Sequence, residues 1–231
     1  MNTWIYISII AAVINWIIVF QYTRRRKNLN LFEYFTKPAV IILLFIWLYG
    51  ITKFQGHSVW FALGLLFSLI GDVVLMISSN DRGFIIGAIS FVFTFICYII
   101  GLNDKLPVFN LPAILITVFV AITSLKTYIR LTEESIIKRE KKIMVYLIGP
   151  YLIVLSLMLI SALLTYTQGE RWNDGHAILV GSGALLFYAS DTIIIWNKHI
   201  RPIQNVKILN RISYHIGQIC IIVGATLHLV K

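Results

Sequence analysis

Charge is scarce in this chain, and acids are scarcest: ten of the 231 residues are Asp or Glu, against twenty Lys and Arg. With 58% hydrophobic and only 13% charged residues, there is too little polar surface to solvate a globular domain of this size, which excludes a soluble enzyme. Cysteine is nearly absent. Cys97 and Cys220 both lie in apolar runs without a CxxC spacing or a nearby ligand cluster, so they read as small buried hydrophobes rather than as a disulfide scaffold or zinc ligands. The five histidines, His57, His176, His199, His215 and His228, are scattered and form no HExxH or similar pair, so no metal site is implied. A GxSxG elbow, a phosphate-binding loop and a dinucleotide fingerprint are missing too, which takes away the usual signs of serine hydrolase, nucleotide and redox chemistry. No cofactor is implied.

What is present is a series of long apolar runs, at about 3–22, 38–54, 58–78, 84–101, 107–127, 143–166, 175–197 and 207–230. Each is near the twenty residues that a helix needs to cross hydrocarbon, so the expected architecture is all-α: a single transmembrane domain, 1–231, folded as one bundle of eight spanning helices. Little chain remains for anything but short loops, and chemistry must sit among the helices. The first run is followed at once by Arg24, Arg25, Arg26 and Lys27 and preceded by no basic residue, unlike a cleaved signal peptide. Placing its N-terminus outside puts sixteen of the twenty Lys and Arg on the cytoplasmic side and leaves Lys53, Lys105, Arg171 and Lys231 on the other. That asymmetry fits the positive-inside rule and predicts an integral protein of the cell membrane with both termini extracytoplasmic. The net charge of +10 then serves anionic headgroups, and no nucleic-acid partner is expected. In the longest loop, 128–142, Glu134 precedes Lys138 by four, consistent with a short interfacial helix or with a solvated extension of the fifth span.

Only two acids, Asp72 and Asp191, fall inside the apolar runs, the other eight being assigned to loops. A carboxylate at membrane depth costs a few kcal/mol at least and persists where it lines a cavity, pairs or does chemistry. Each stands about six residues before its predicted cytoplasmic exit, roughly 9 Å deep at 1.5 Å per residue, and the two helices share one direction. Their contexts are alike: residues 64–72 read GLLFSLIGD and residues 183–191 read GALLFYASD. Equal orientation at a spacing of four helices suggests a 4+4 parallel repeat.

Other polar residues fall at the same depth. Lys37 stands at the predicted start of helix two, directly before Pro38, and Arg211, Tyr214, His215 and Gln218 make one polar face on helix eight. Tyr188, Asn197 and Lys198 flank Asp191. The expectation is that Asp72, Asp191, Lys37, Tyr214 and Gln218 line one inward-facing cavity. Each also has a bland reading: Lys37, Lys198 and Arg211 as snorkelling cations, Tyr188 and Tyr214 as members of an aromatic belt, Gln218 as interhelical glue, and Asn15 and Tyr98 as packing contacts.

From Lys37 to Gln218 the chain resembles the YhhN-type integral membrane family, whose characterised members are lysoplasmalogenases. The resemblance rests on TKP at 36–38, GLLFSLIGDVVLM at 64–76, Phe84, Gly87 and Phe91, Tyr98, GALLFYASDTIIIWNK at 183–198 and YHIGQ at 214–218. One position departs: where the family commonly carries a histidine three residues before the tyrosine of helix four, this chain has Phe95.

The resemblance implies a membrane-embedded hydrolase that cleaves the vinyl ether of a lysophospholipid, with a lipid substrate as its partner. Proton delivery to the vinyl carbon gives an oxocarbenium-like cation, which water captures as a hemiacetal. Paired carboxylates suit this, one as general acid and one ionised to stabilise the cation and activate water. Asp72 and Asp191 are the implied catalytic pair, with Lys37 holding phosphate and Tyr98, Asn197, Tyr214 and Gln218 as substrate-binding residues. Two other classes remain open on the same residues: a proton-coupled carrier or lipid translocator, and a non-catalytic lipid-binding protein, which Phe95 favours.

Overall fold

Backbone N–H and C=O groups in hydrocarbon have no water to pair with, so apolar runs of this length must satisfy them internally as helices. The computed structural model describes residues 3–24, 31–78, 80–105, 107–108, 110–137, 142–169 and 171–230. Among them are eight helices long and apolar enough to span a membrane, and no strand. The helices are α1 (Thr3–Arg24), α2 (Leu31–Thr52), α3 (Ser58–Ile77), α4 (Asp81–Leu102), α5 (Leu111–Ile137), α6 (Lys142–Leu164), α7 (Asp174–His199) and α8 (Val206–Leu229). Asparagines set three of the starts: the side-chain oxygens of Asn80, Asn110 and Asn173 accept from the backbone N–H of Gly83, Ala113 and Gly175, supplying partners for donors that a helix leaves free at its N-terminus.

Two expectations are corrected. Helix two begins at Leu31 and not near 38, so Lys37 and Pro38 lie inside α2 rather than at its first residues. The helix runs through its charged first turn because Glu33, assigned to a loop from sequence, is buried and paired at 2.7 Å with Arg211 of α8. Acids also sit within other helix ends: Asp81 and Asp174 open α4 and α7, and Glu133 and Glu134 close α5. Of the two forms open for the 128–142 loop, its described part up to Ile137 takes the helical extension, since α5 continues to Ile137. Glu134 lies 3.4 Å from Arg130 one turn earlier, and Lys138 falls outside the described residues.

Helix neighbours recur with a period of four. The pairs α1–α2, α2–α3, α3–α4 and α8–α2 have counterparts in α5–α6, α6–α7, α7–α8 and α4–α6. The first helix of each set, α1 or α5, is the least buried span. The matched glycines also have matched uses: Gly64 receives the ring of Tyr98 from α4, and Gly183 receives the backbone of α8. At the second crossing a Cβ on Gly183 would lie 2.8 Å from the Gly217 carbonyl oxygen, and one on Gly217 would lie 2.8 Å from that of Gly183. Small residues thus let two backbones touch where lipid offers no hydrophobic drive for helix association. The correspondence is incomplete, because α8 also packs on α1 and α3.

Candidate functional site

Asp72 sits five residues before the last residue of α3 and is 1% exposed. Its two oxygens have different partners. Lys37 of α2 forms an ion pair with Oδ1, and the Tyr214 hydroxyl of α8 donates to Oδ2 at 2.8 Å. One turn along α8, the Gln218 amide nitrogen lies 3.5 Å from the Tyr214 hydroxyl, and its Oε1 accepts from Tyr98 of α4 at 2.6 Å. A single line of polar groups therefore runs Tyr98, Gln218, Tyr214, Asp72, Lys37 across four helices. Such a network, fully satisfied in a low dielectric, fixes side-chain positions more strongly than its separate bonds would.

Asp191, 7% exposed on α7, is built differently. Tyr151 of α6 donates its hydroxyl to Oδ2, and among the described residues no cation is in ion-pair contact with this carboxyl. Asp72 and Lys37 act on it only through space. Aromatic rings fill the ground between the two acids: Phe187 lies 5.2 Å from Tyr214 and 5.3 Å from Phe95, and Phe95 lies 5.7 Å from Tyr151, all edge-on. Phe95, the position at which a histidine is expected from the family resemblance, is fully buried in this group. The residue before Asp191, Ser190, is tied to α8 by Asn210, whose amide donates to its hydroxyl at 2.7 Å and to its carbonyl at 3.3 Å.

Both acids open on one cavity of about 330 Å³, near the lower end of the usual range for small-ligand sites. Lys37, Asp72, Tyr151, Asp191, Asn210 and Tyr214 supply its polar wall, and the rest is aliphatic and aromatic, drawn from α3, α4, α6 and α7. Of the residues expected from sequence, Asp72, Asp191, Lys37 and Tyr214 meet at this cavity. Tyr98 and Gln218 stand behind Tyr214 rather than on the lining. Asn197 is elsewhere, its side-chain oxygen accepting from Ile203 N–H at 2.9 Å in the turn after α7. Tyr188 points to α5, its hydroxyl 2.8 Å from that of Ser124, and His215 accepts from the Trp16 indole of α1 at 3.1 Å.

Sequence reasoning overlooked Tyr151 and Asn210. Tyr151 is one hydroxyl in a long apolar run, and its only marker is the neighbouring Pro150. Asn210 precedes the polar face of α8 by one residue, near the start of the eighth apolar run, where a polar side chain draws no notice.

Among curated proteins and among solved structures, none matches the chain. Residues 32–225, which include every residue of this site, match the YhhN family, and the chain belongs to that family.

Proposed function

We propose that this protein is a lysoplasmalogenase-like hydrolase that cleaves the vinyl ether of a lysophospholipid within the membrane. The observation that carries the reading is the unlike pairing of two buried carboxyls on one cavity: among the described residues, Asp72 has a cation and a hydroxyl donor, whereas Asp191 has a hydroxyl donor alone. Unlike surroundings are how a pair of acids divides its labour.

In this scheme Asp72 is the ionised member, neutralised by Lys37. Asp191 carries the proton on Oδ1, leaving Oδ2 to accept from Tyr151. Asp191 gives that proton to the vinyl carbon remote from the ether oxygen, forming the new C–H bond and leaving a carboxylate beside the oxocarbenium. The negative charges of Asp191 and Asp72 stabilise that cation, which is the largest contribution an apolar site can make. Water then adds to the oxygen-bearing carbon and yields its proton to Asp191, restoring the acid, as the acid/base residue does at glycosidic bonds. Transfer of the hemiacetal hydroxyl proton to the departing ether oxygen breaks the C–O bond and releases an aldehyde and the glycerophospho-alcohol. Lys37 faces the headgroup phosphate, with Tyr98 and Gln218 holding Tyr214 in place.

The test is aldehyde release from a defined lysoplasmalogen by the purified protein in detergent, beside Asp72→Asn and Asp191→Asn. Aldehyde from the native protein alone is the expected outcome. Turnover retained in either variant removes that residue from the scheme. A second reading, lipid binding without turnover, is favoured by the apolar surroundings of Phe95 and predicts bound lipid recovered chemically unchanged.

A further inference from the structure

The cavity is not symmetric about its polar end. Its lining residues on α2, α3, α7 and α8 are all buried or half-buried. The exposed ones are Ile89, Phe93 and Ile96 of α4 and Leu147 and Pro150 of α6. Every exposed lining residue is therefore apolar and stands on one flank, the seam where α4 meets α6. Along α4, Ile85, Ala88, Val92 and Ile96 recur at spacings of three and four, and all line the cavity, so one stripe of the helix runs from the seam to the acids. Counted from Asp81, this stripe begins about 6 Å and ends about 22 Å into the span at 1.5 Å per residue. In a chain of eight membrane-spanning helices, an apolar flank at that depth faces hydrocarbon.

The end of the cavity nearest the α3–α4 and α7–α8 turns carries charged side chains. Lys198 of α7 lies 3.4 Å above the ring of Phe84 of α4, and Arg211 is held by Glu33 across α2 and α8. These contacts join α4 to α7 and α2 to α8. The route with apolar walls throughout is the lateral one.

We propose that the single-chain substrate reaches the two aspartates sideways from the hydrocarbon, through the seam between α4 and α6. This rests on the reading of the site as a lysophospholipid hydrolase and adds the route. The alkyl chain lies along the Ile85, Val92 and Ile96 stripe, with its outer part still in lipid, while the bond to be cleaved lies beside Asp191 and the headgroup points to Lys37 and Asn210. A cavity of about 330 Å³ that opens between α4 and α6 takes the inner part of one such chain, and the rest of the chain needs no solvation path through the bundle.

The route is tested with lysophosphatidylcholine carrying a diazirine midway along its acyl chain, added to vesicles containing the full-length protein and photolysed. Labelled peptides are then mapped by mass spectrometry. Label on α4 between 85 and 96 and on α6 between 147 and 151, competed by unlabelled lysophosphatidylcholine and not by a two-chain phosphatidylcholine, is the expected result. Ala88→Trp, which fills the seam, should lose that label, whereas Ile86→Trp, on an exposed position outside the cavity lining, should keep it. Label confined to α2 and α8, or competed equally by two-chain lipid, overturns the proposal. Hydrolysis is read separately: competed label in the seam without aldehyde release keeps the route and removes the hydrolase, and aldehyde release with the label elsewhere keeps the hydrolase and removes the route.

Discussion

Removing the ammonium of Lys37 should destabilise the bundle far more than removing an exposed cation. In Lys37→Met the Asp72 carboxyl, 1% exposed, loses its ion-pair partner and retains only the Tyr214 hydroxyl. Stranding a buried charge in this way typically costs about 3–5 kcal/mol. A hydrogen bond to a charged group is worth about 1.5–3 kcal/mol, and because Tyr214 keeps one oxygen satisfied the loss should fall near the lower end. That is about 3 kcal/mol, or roughly a hundredfold in the folding equilibrium. Converting both partners in Lys37→Met/Asp72→Asn removes the stranded charge and leaves Tyr214 an amide oxygen to donate to, so most of the stability should return, as when a buried pair is replaced by neutral groups. The assay is unfolding in mixed micelles by a denaturing detergent, followed by the fluorescence of the six tryptophans. Aldehyde release measured on the same samples should stay absent in the double variant, which separates restored folding from restored chemistry. A loss below about 1 kcal/mol, the value of a solvated pair, or strictly additive effects in the double variant, would refute the reasoning that this pair is desolvated and coupled.

Three other outcomes follow from the geometry. Tyr151→Phe removes the donor to Asp191 and should cost about 1–3 kcal/mol of stability, together with a fall in turnover at unchanged membrane insertion, checked by aldehyde release and detergent unfolding. Phe95→Ala should cost about 3–5 kcal/mol, because its ring is fully buried against Phe91, Phe187 and Tyr151 and the surrounding rings relax only in part; the same unfolding assay reads it. Gly217→Ala would place a methyl 2.8 Å from the Gly183 carbonyl oxygen and 2.9 Å from Phe187 N, forcing α7 and α8 apart at a cost of about 1–3 kcal/mol, whereas Gly50→Ala, with open space at its Cβ, should be tolerated.

The number and kind of elements were legible in the sequence because the requirement that sets them is local. Each backbone group in hydrocarbon must be paired within its own segment, so length and apolarity were enough to give eight spans. The same solvent made Asp72 and Asp191 conspicuous, since a carboxyl among so many apolar residues carries its cost wherever the helix is placed. The likeness of GLLFSLIGD and GALLFYASD also anticipated a shared role, visible in how Gly64 and Gly183 each seat the following helix. Partners were another matter. Lys37 meets Asp72 across 35 residues, Tyr151 meets Asp191 across 40, Tyr214 meets Asp72 across 142 and Arg211 meets Glu33 across 178. Sequence leaves Lys37 and Arg211 equally suited to snorkelling, and Tyr151 indistinguishable from a packing residue, because which face of a helix is buried depends on where its neighbours lie. Asn197, six residues beyond Asp191 on the same helix, bonds a loop N–H for the same reason. Tertiary packing alone decided that, among the described residues, one acid has a cation in contact and the other does not.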